Sequence, residues 1–221
     1  MSEIIRPWGS LVPGAFDSVR RLESGWSLRS VAVELAGGGH VVLSPTKKMD
    51  HGALTPRFLV CSNHYHWLGI PEWLARFPDA RVIATKTAAP RLRAKLGIDI
   101  GELGDVDLPS GARWLEPPGV GSGEVFLDVG GTWIVCDAFF NEPKNPTGAY
   151  GLGLRLTGTT PGLCIGQTWK YLQLSKRAEY KEWMLARLSA EPPAAVVMAH
   201  GDIVRSGDLG ERLTELVRAR L

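Results

Sequence analysis

Two histidines placed one residue apart are the best candidates for chemistry in this sequence. His64 and His66 occur in the segment Ser-Asn-His-Tyr-His, directly after the strand-like residues 57–61. Side chains at positions i and i+2 of an extended chain point to the same side. The spacing therefore predicts two imidazoles that face the same way at the end of a strand. Because imidazole is a common ligand for first-row metal ions, the pair is a candidate metal site. The alternative interpretation is a pair of hydrogen-bonded structural histidines.

Two further apolar runs end in groups that bind metals. Residues 132–136 lead into Asp137, and residues 194–198 lead into His200. Strand ends on one side of a sheet converge, so we expect these groups to lie near the histidine pair. Two or three imidazoles with one carboxylate suit Zn²⁺, Fe²⁺ or Mn²⁺. Such an ion lowers the pKa of water and supplies a nucleophile near neutral pH, so the pattern predicts metal-assisted hydrolysis.

The elements that must position these groups alternate between strand and helix patterns. Residues 31–35 and 41–43 form one predicted hairpin, and residues 124–129 and 132–136 form another around Gly130-Gly131. Helical spacing of apolar residues predicts helices over 170–188 and 208–221, and glycines make residues 142–166 loop-rich. This order predicts a layered α/β fold with mixed sheets and not a uniform βαβ series.

Longer segments around these groups resemble the metallo-β-lactamase fold superfamily. The histidine pair followed by Gly-Ile-Pro-Glu-Trp-Leu-Ala-Arg-Phe-Pro-Asp-Ala is similar to its first metal motif. Phe-Leu-Asp-Val-Gly-Gly-Thr-Trp-Ile-Val-Cys-Asp, ending at Asp137, resembles its strand pair with the metal-bridging aspartate, and Val-Val-Met-Ala-His-Gly-Asp resembles its late histidine strand. The resemblance is nearest to a divergent branch with Asn-x-x-His, here Asn63 to His66. It covers nearly the whole chain and implies a four-layer αββα sandwich with two mixed sheets.

The resemblance also implies a degenerate metal motif. Against the usual His-x-His-x-Asp-His, the chain has Ser62 at the first histidine, His66 in place of the aspartate and Trp67 at the last histidine. The middle histidine of the superfamily has no counterpart among residues 117–123. The retained ligand positions are His64, His66, Asp137 and His200. This set implies one zinc, iron or manganese ion per chain and not two.

The resulting hypothesis is a metal-dependent hydrolase of a small molecule. His66, Asp137 and His200 would hold the ion, and His64 would serve as a fourth ligand or as a general base beside the water. Asp202 would orient a ligand or His200 as a hydrogen-bond acceptor, or it caps a turn.

The alternative is a catalytically inactive protein of the same fold that binds a ligand or partner through a hydrogen-bonded polar cluster. Only His40 and His51 remain to replace the missing ligands. Cysteine or serine nucleophile chemistry is disfavoured, because Cys164 in Gly-Leu-Cys-Ile-Gly does not match Gly-x-Ser-x-Gly and has no evident base. Residues 119–123 also lack the Lys-Ser/Thr of a phosphate-binding loop.

The overall composition limits partners and compartment. A length of 221 residues suits one domain, residues 1–221. The net charge of +2, from 25 basic and 23 acidic residues, provides no excess to attract nucleic acid or a membrane surface. Three widely spaced cysteines predict free thiols in a reducing compartment. With no signal-peptide pattern and no membrane-length apolar run, we expect a cytoplasmic protein acting on a small molecule, as a monomer or a homo-oligomer.

Overall fold

The computed structural model describes residues 3–221 and, within them, every side chain except that of Tyr150. The strands are β1 (Ile4–Val12), β2 (Ala15–Arg21), β3 (Ser27–Glu34), β4 (His40–Leu43), β5 (Pro56–Val60), β6 (Arg81–Ala84), β7 (Gly101–Glu102), β8 (Ala112–Leu115), β9 (Phe126–Val129), β10 (Thr132–Val135), β11 (Phe140–Glu142), β12 (Gly162–Cys164), β13 (Ala195–Met198) and β14 (Val204–Arg205). The helices are α1 (Ile70–Arg76), α2 (Ala89–Leu96), α3 (Gly148–Leu156), α4 (Gln167–Leu172), α5 (Arg177–Ala190) and α6 (Leu209–Arg220).

Both large sheets are mixed. The first runs in chain order from β1 to β7, with antiparallel pairing through β4 and parallel pairing from β4 to β7. Parallel neighbours need a crossover connection, and α1 and α2 provide two of them. The second sheet has the order β14-β13-β10-β9-β8, in which β10 is parallel to β13 and antiparallel to β9.

The alternation of side chains along each strand builds the layers. In β5, Phe58 packs in the core between the sheets, whereas the adjacent Leu59 packs with Trp73 of α1. In β10, Ile134 belongs to the same core between the sheets, and Trp133 packs with the outer helices α4, α5 and α6. Fully burying a side chain of this size contributes roughly 1.5–3 kcal/mol. The four-layer αββα arrangement with two mixed sheets is thereby confirmed.

The two predicted hairpins and the closing helix are confirmed as β3-β4, β9-β10 and α6. The single helix predicted over residues 170–188 is wrong. The chain leaves the helix at Leu172, and the amides of Ser175 and Lys176 donate to the carbonyl of Gly119 at 2.8 and 2.9 Å before α5 begins. The region predicted as loop over 142–166 contains α3, in spite of its glycines.

The register between β10 and β13 brings two predicted site residues to one edge. Val135 pairs with Met198 in this parallel pair, so Asp137 and His200 each emerge two residues beyond the last pair. The turn after β5 reaches the same edge. Among residues 3–221, no helix has the length and apolar character needed to cross a membrane.

Candidate metal centre

Three side chains with metal-binding atoms meet at this edge. The Nε2 atoms of His66 and His200 lie 3.2 and 3.3 Å from the same oxygen, Oδ1 of Asp137. The ligand atoms of all three residues lie within 4.8 Å of one another. Asp137 and His200 are buried, and His66 is half-buried. The structure thus brings together three of the four predicted metal ligands.

The ring of His200 has a fixed orientation and a fixed tautomer. Its Nδ1 lies 2.8 Å from the carbonyl oxygen of Ser27, and because a carbonyl only accepts, Nδ1 carries the proton. The ring also stacks against Trp26 and Phe140, with centroid distances of 4.6 and 5.7 Å. In the neutral imidazole, Nε2 therefore has a free lone pair directed at Asp137.

A buried carboxylate holds Ser27 in place. The backbone N–H and the hydroxyl of Ser27 both donate to Oε1 of Glu142, and the N–H of Gly201 donates to the Ser27 hydroxyl oxygen at 2.6 Å. Glu142 is fully buried, and Arg21 donates to its second oxygen at 3.3 Å. Glu142 therefore fixes His200 through Ser27. Neither residue is predicted from the sequence, where nothing distinguishes them from other loop or strand residues.

Two amides hold the carboxylate of Asp137 from its other side. Oδ2 of Asp137 accepts from Asn63 at 2.8 Å and from Gln173 at 3.2 Å. The side-chain oxygen of Asn63 also accepts the amides of Tyr65 and His66, so one residue fixes both the turn and the carboxylate. Burial alone would raise the pKa of Asp137, but the neighbouring His66 and His200 hold that pKa well below its usual range. The carboxylate is therefore ionised.

A buried carboxyl group, that of Glu124, fixes the backbone on both sides of Asp137. Oε1 of Glu124 accepts the amides of Cys136 and Ala138, both at 3.0 Å, and Oε2 accepts the indole N–H of Trp169 at 2.9 Å. Burial and the nearby Asp137 carboxylate raise the pKa of Glu124 to about 8. The sequence offers one weak signal for this residue, an acidic side chain beginning an apolar strand pattern.

These contacts fit a bound cation. The lone pair of His200 and Oδ1 of Asp137 are two acceptors facing each other at 3.3 Å, and such a pair requires a proton or a metal ion between them. Gln173 gives an independent sign. Its nitrogen donates to Asp137, which leaves Oε1 buried without a hydrogen-bond partner among the described residues. Two imidazoles and a carboxylate are the three-ligand set of catalytic Zn²⁺ or Fe²⁺ sites with an open position.

His64 is not part of this group. The segment forms a turn and not an extended strand, because Asn63 accepts the amides of Tyr65 and His66. The expectation that both imidazoles face one way is therefore wrong. Nε2 of His64 lies 3.0 Å from the guanidinium of Arg91, which donates to it. Burial and that guanidinium lower the pKa of His64.

Asp202 does not hold His200, because the carbonyl of Ser27 takes that place. The Asp202 side chain is exposed, and its carboxylate lies 3.6 Å from Arg21. Two other histidines also lie elsewhere: His40 accepts the amide of Thr55 at 3.2 Å, and His51 packs edge-on against Trp73 with a centroid distance of 4.6 Å. Among residues 3–221, neither joins the group at Asp137.

The cysteines are buried and free. Burial raises the pKa of Cys61 to about 12 and that of Cys164 to about 11. A thiol with such a pKa stays protonated near neutral pH and is a poor nucleophile. This agrees with the low weight that the sequence gives to cysteine chemistry.

A cleft of about 480 Å³ opens over the three ligands. This volume is within the range of small-molecule sites. Its inner wall is mainly aromatic and aliphatic, formed by Trp26, Leu28, Phe140, Leu154 and Trp169. His66, Asp137 and His200 all line the cleft, together with Gln173. A small molecule can therefore reach the candidate metal ligands from solvent.

No family model and no curated protein matches the sequence. Solved structures do resemble the fold. A fragment of diflavin flavoprotein A 5 from Nostoc sp. PCC 7120 has 13% identity, with 99% of this chain and 98% of that chain covered and a TM-score of 0.67. A metallo-beta-lactamase from Pontibacter korlensis has 12% identity, with 98% and 100% covered and a TM-score of 0.66.

The metal-soaked Flv1 flavodiiron core from Synechocystis sp. PCC6803 is also similar, with 14% identity and a TM-score of 0.66. The match covers 98% of this chain but only 61% of the Flv1 core. At these identities, the likeness establishes a shared fold over nearly all of this chain.

Proposed function

We propose that this chain, which has the metallo-β-lactamase fold, is a metal-dependent hydrolase of a small molecule with one divalent ion. The observation that carries the proposal is that the Nε2 atoms of His66 and His200 both lie within 3.3 Å of Oδ1 of Asp137. The lone pair of the neutral His200 ring faces this ionised carboxylate. The ion would be zinc, iron or manganese. When bound, it acts as a Lewis acid and makes water nucleophilic near neutral pH.

The residues around the ligands have separate tasks. Ser27 keeps Nδ1 of His200 protonated, so that Nε2 remains available as a ligand. Asn63 and Gln173 donate to Oδ2 of Asp137 and hold the carboxylate so that Oδ1 faces the two imidazoles. The free oxygen of Gln173 can accept a hydrogen bond from a water molecule and orient it. In the hydrolysis, the water oxygen bonds to the electrophilic centre, the bond to the leaving group breaks, and the proton of the water passes to the leaving group.

We propose one ion and not two because Ser62 and His64, at two of the ligand positions for a second ion, are hydrogen-bonded to other residues. His64 accepts a hydrogen bond from Arg91, and the hydroxyl of Ser62 accepts one from the hydroxyl of Ser44 at 2.9 Å. Hydroxyls are poorer ligands for zinc than imidazoles. The donor set for a second ion is thus reduced to groups that already have protein partners.

The second candidate function is ligand binding without catalysis. The contacts of His66 and His200 with Asp137 are also ion pairs if both imidazoles are protonated, so the cluster is stable without a metal ion in that state. In that state the cleft would bind its ligand without a metal. Metal content separates the two candidates, because only the hydrolase requires the ion.

The test is elemental analysis of the purified, untagged protein beside two variants. His66→Ala combined with His200→Ala removes two ligands, and His40→Ala is the matched control, since His40 lies outside the group. We expect about one zinc, iron or manganese ion per chain in the wild type and the control, and none in the double variant. A metal-free wild type that stays metal-free after incubation with each ion contradicts the hydrolase proposal. Circular dichroism checks that each variant is folded.

A further inference from the structure

The mouth of the cleft is unusually apolar for an exposed surface. Tyr65, Leu68 and Leu172 line the cleft, and their exposed fractions are 46%, 56% and 75%. They come from two separate elements, the turn after β5 and the end of α4. A single exposed leucine needs no explanation. Three large apolar side chains at one opening, continuous with a buried apolar wall, mark a binding surface.

One cation at this opening has no partner. Arg20 donates to Glu3 and to the carbonyl of Lys47, and Arg29 is paired with Asp17. Lys47 lines the same cleft, and its side chain is exposed. Its ammonium has no hydrogen bond or ion pair within residues 3–221. Asp137 is the acidic residue that lines the cleft, and it lies beside His66 and His200 as one of the three proposed metal ligands.

From these observations, we propose that the cleft recognises an anionic amphiphile, a small molecule with one negatively charged group and an apolar body. The charged group binds Lys47, and the apolar body lies between Leu68 and Leu172 and against the inner wall. This inference rests on the proposed function in one respect: the amphiphile is a substrate only if the site is that of a hydrolase. The recognition itself depends only on the cleft.

The probes are alkane-1-sulfonates of four, six, eight and ten carbons, whose sulfonate group is a weak zinc ligand. Binding to the full chain is measured by calorimetry, with and without added zinc. Burying a methylene is worth about 0.8 kcal/mol, a factor of about four in Kd. We expect Kd to fall two- to fourfold for each added carbon until the chain fills the cleft.

Three variants separate the two contacts. Leu68→Ser with Leu172→Ser should flatten the dependence on chain length, whereas Leu156→Ser, an exposed leucine outside the cleft lining, should leave it unchanged. Lys47→Gln should weaken octane-1-sulfonate by about fivefold or more and leave octan-1-ol unaffected. A Kd independent of chain length, or equal effects of the cleft and control leucine variants, overturns the apolar part. Equal effects of Lys47→Gln on the sulfonate and the alcohol overturn the charged part.

Zinc content measured on the same samples distinguishes this inference from the proposed function. Chain-length-dependent binding in a protein that takes up no zinc contradicts the hydrolase proposal and supports recognition of an anionic amphiphile. Zinc uptake without chain-length-dependent binding supports the metal site and contradicts recognition of an anionic amphiphile. Sedimentation with phosphatidylglycerol vesicles tests a lipid surface as the source of the amphiphile. Binding to vesicles without binding to the sulfonates overturns the assignment to a free small molecule.

Discussion

Glu142 provides a demanding test of how the site is built. Its Oε1 accepts two hydrogen bonds from Ser27, whose carbonyl in turn fixes the tautomer of His200. A hydrogen bond to a charged group contributes about 1.5–3 kcal/mol. Glu142→Ala removes both and leaves the Ser27 amide buried without an acceptor. We expect the free energy of unfolding to fall by about 3–5 kcal/mol.

Glu142→Gln is the matched conservative variant. It keeps an acceptor oxygen for Ser27 and loses the charge opposite Arg21, whose side chain is 36% exposed. An ion pair with such an exposed partner contributes about 0–1 kcal/mol. A neutral amide oxygen also accepts weaker hydrogen bonds from Ser27 than a carboxylate does, so we expect a total loss of about 1–2 kcal/mol. Zinc affinity should fall about 10–100-fold in the alanine variant, as for other residues that orient a metal ligand, and much less in the glutamine variant.

Guanidinium unfolding and zinc titration measure the two effects. Glu182→Ala, which removes an exposed glutamate of α5, is the control and should change stability by less than about 0.5 kcal/mol. The reasoning is refuted if the glutamine variant costs as much as the alanine variant. It is also refuted if the alanine variant loses stability while its zinc affinity stays unchanged, because His200 would then not depend on Ser27.

Three further predictions concern neighbouring groups. His64→Ala should leave the zinc content unchanged, since its Nε2 is bonded to Arg91; elemental analysis checks this, and loss of the ion would show that His64 is a ligand. Asn63→Ala should lower the free energy of unfolding by about 2–4 kcal/mol and weaken zinc binding, because it removes a buried donor to Asp137 and the acceptor of the Tyr65 and His66 amides. Unfolding and zinc titration measure the two effects, and unchanged values would contradict the role of this amide. The raised pKa of Glu124, about 8 in the folded state against 4.5, means that its contribution to stability is full below about pH 4.5 and is lost as the pH rises through 8. Glu124→Gln should therefore gain stability relative to the wild type between pH 5 and pH 8, and a constant difference in denaturation midpoints would count against it.

The sequence indicated the fold because local patterns and layer order agree in this chain. Consecutive glycines between apolar runs, three before β4 and two before β10, predict the hairpins β3-β4 and β9-β10. The amphipathic pattern predicts α6. The break between α4 and α5 could not be predicted. It depends on the carbonyl of Gly119, more than fifty residues earlier, which accepts the amides of Ser175 and Lys176. No glycine or proline marks that position in the sequence.

The site was predicted in part for similar reasons. Strand ends point to Asp137 and His200, and the parallel register of β10 and β13 brings them together. The direction of His64 depends on hydrogen bonds from the turn to Asn63, which a spacing rule for extended chains does not include. Glu142 and Gln173 act through contacts across the fold, so no local pattern in the sequence identifies them.

The central claim is that one ion binds among His66, Asp137 and His200. The most direct measurement is anomalous X-ray scattering at the zinc edge from a crystal of the zinc-supplemented protein. We predict a single peak within bonding distance of Nε2 of His66, Nε2 of His200 and a carboxylate oxygen of Asp137. No peak at this position, or a peak beside His64 in its place, would contradict the account.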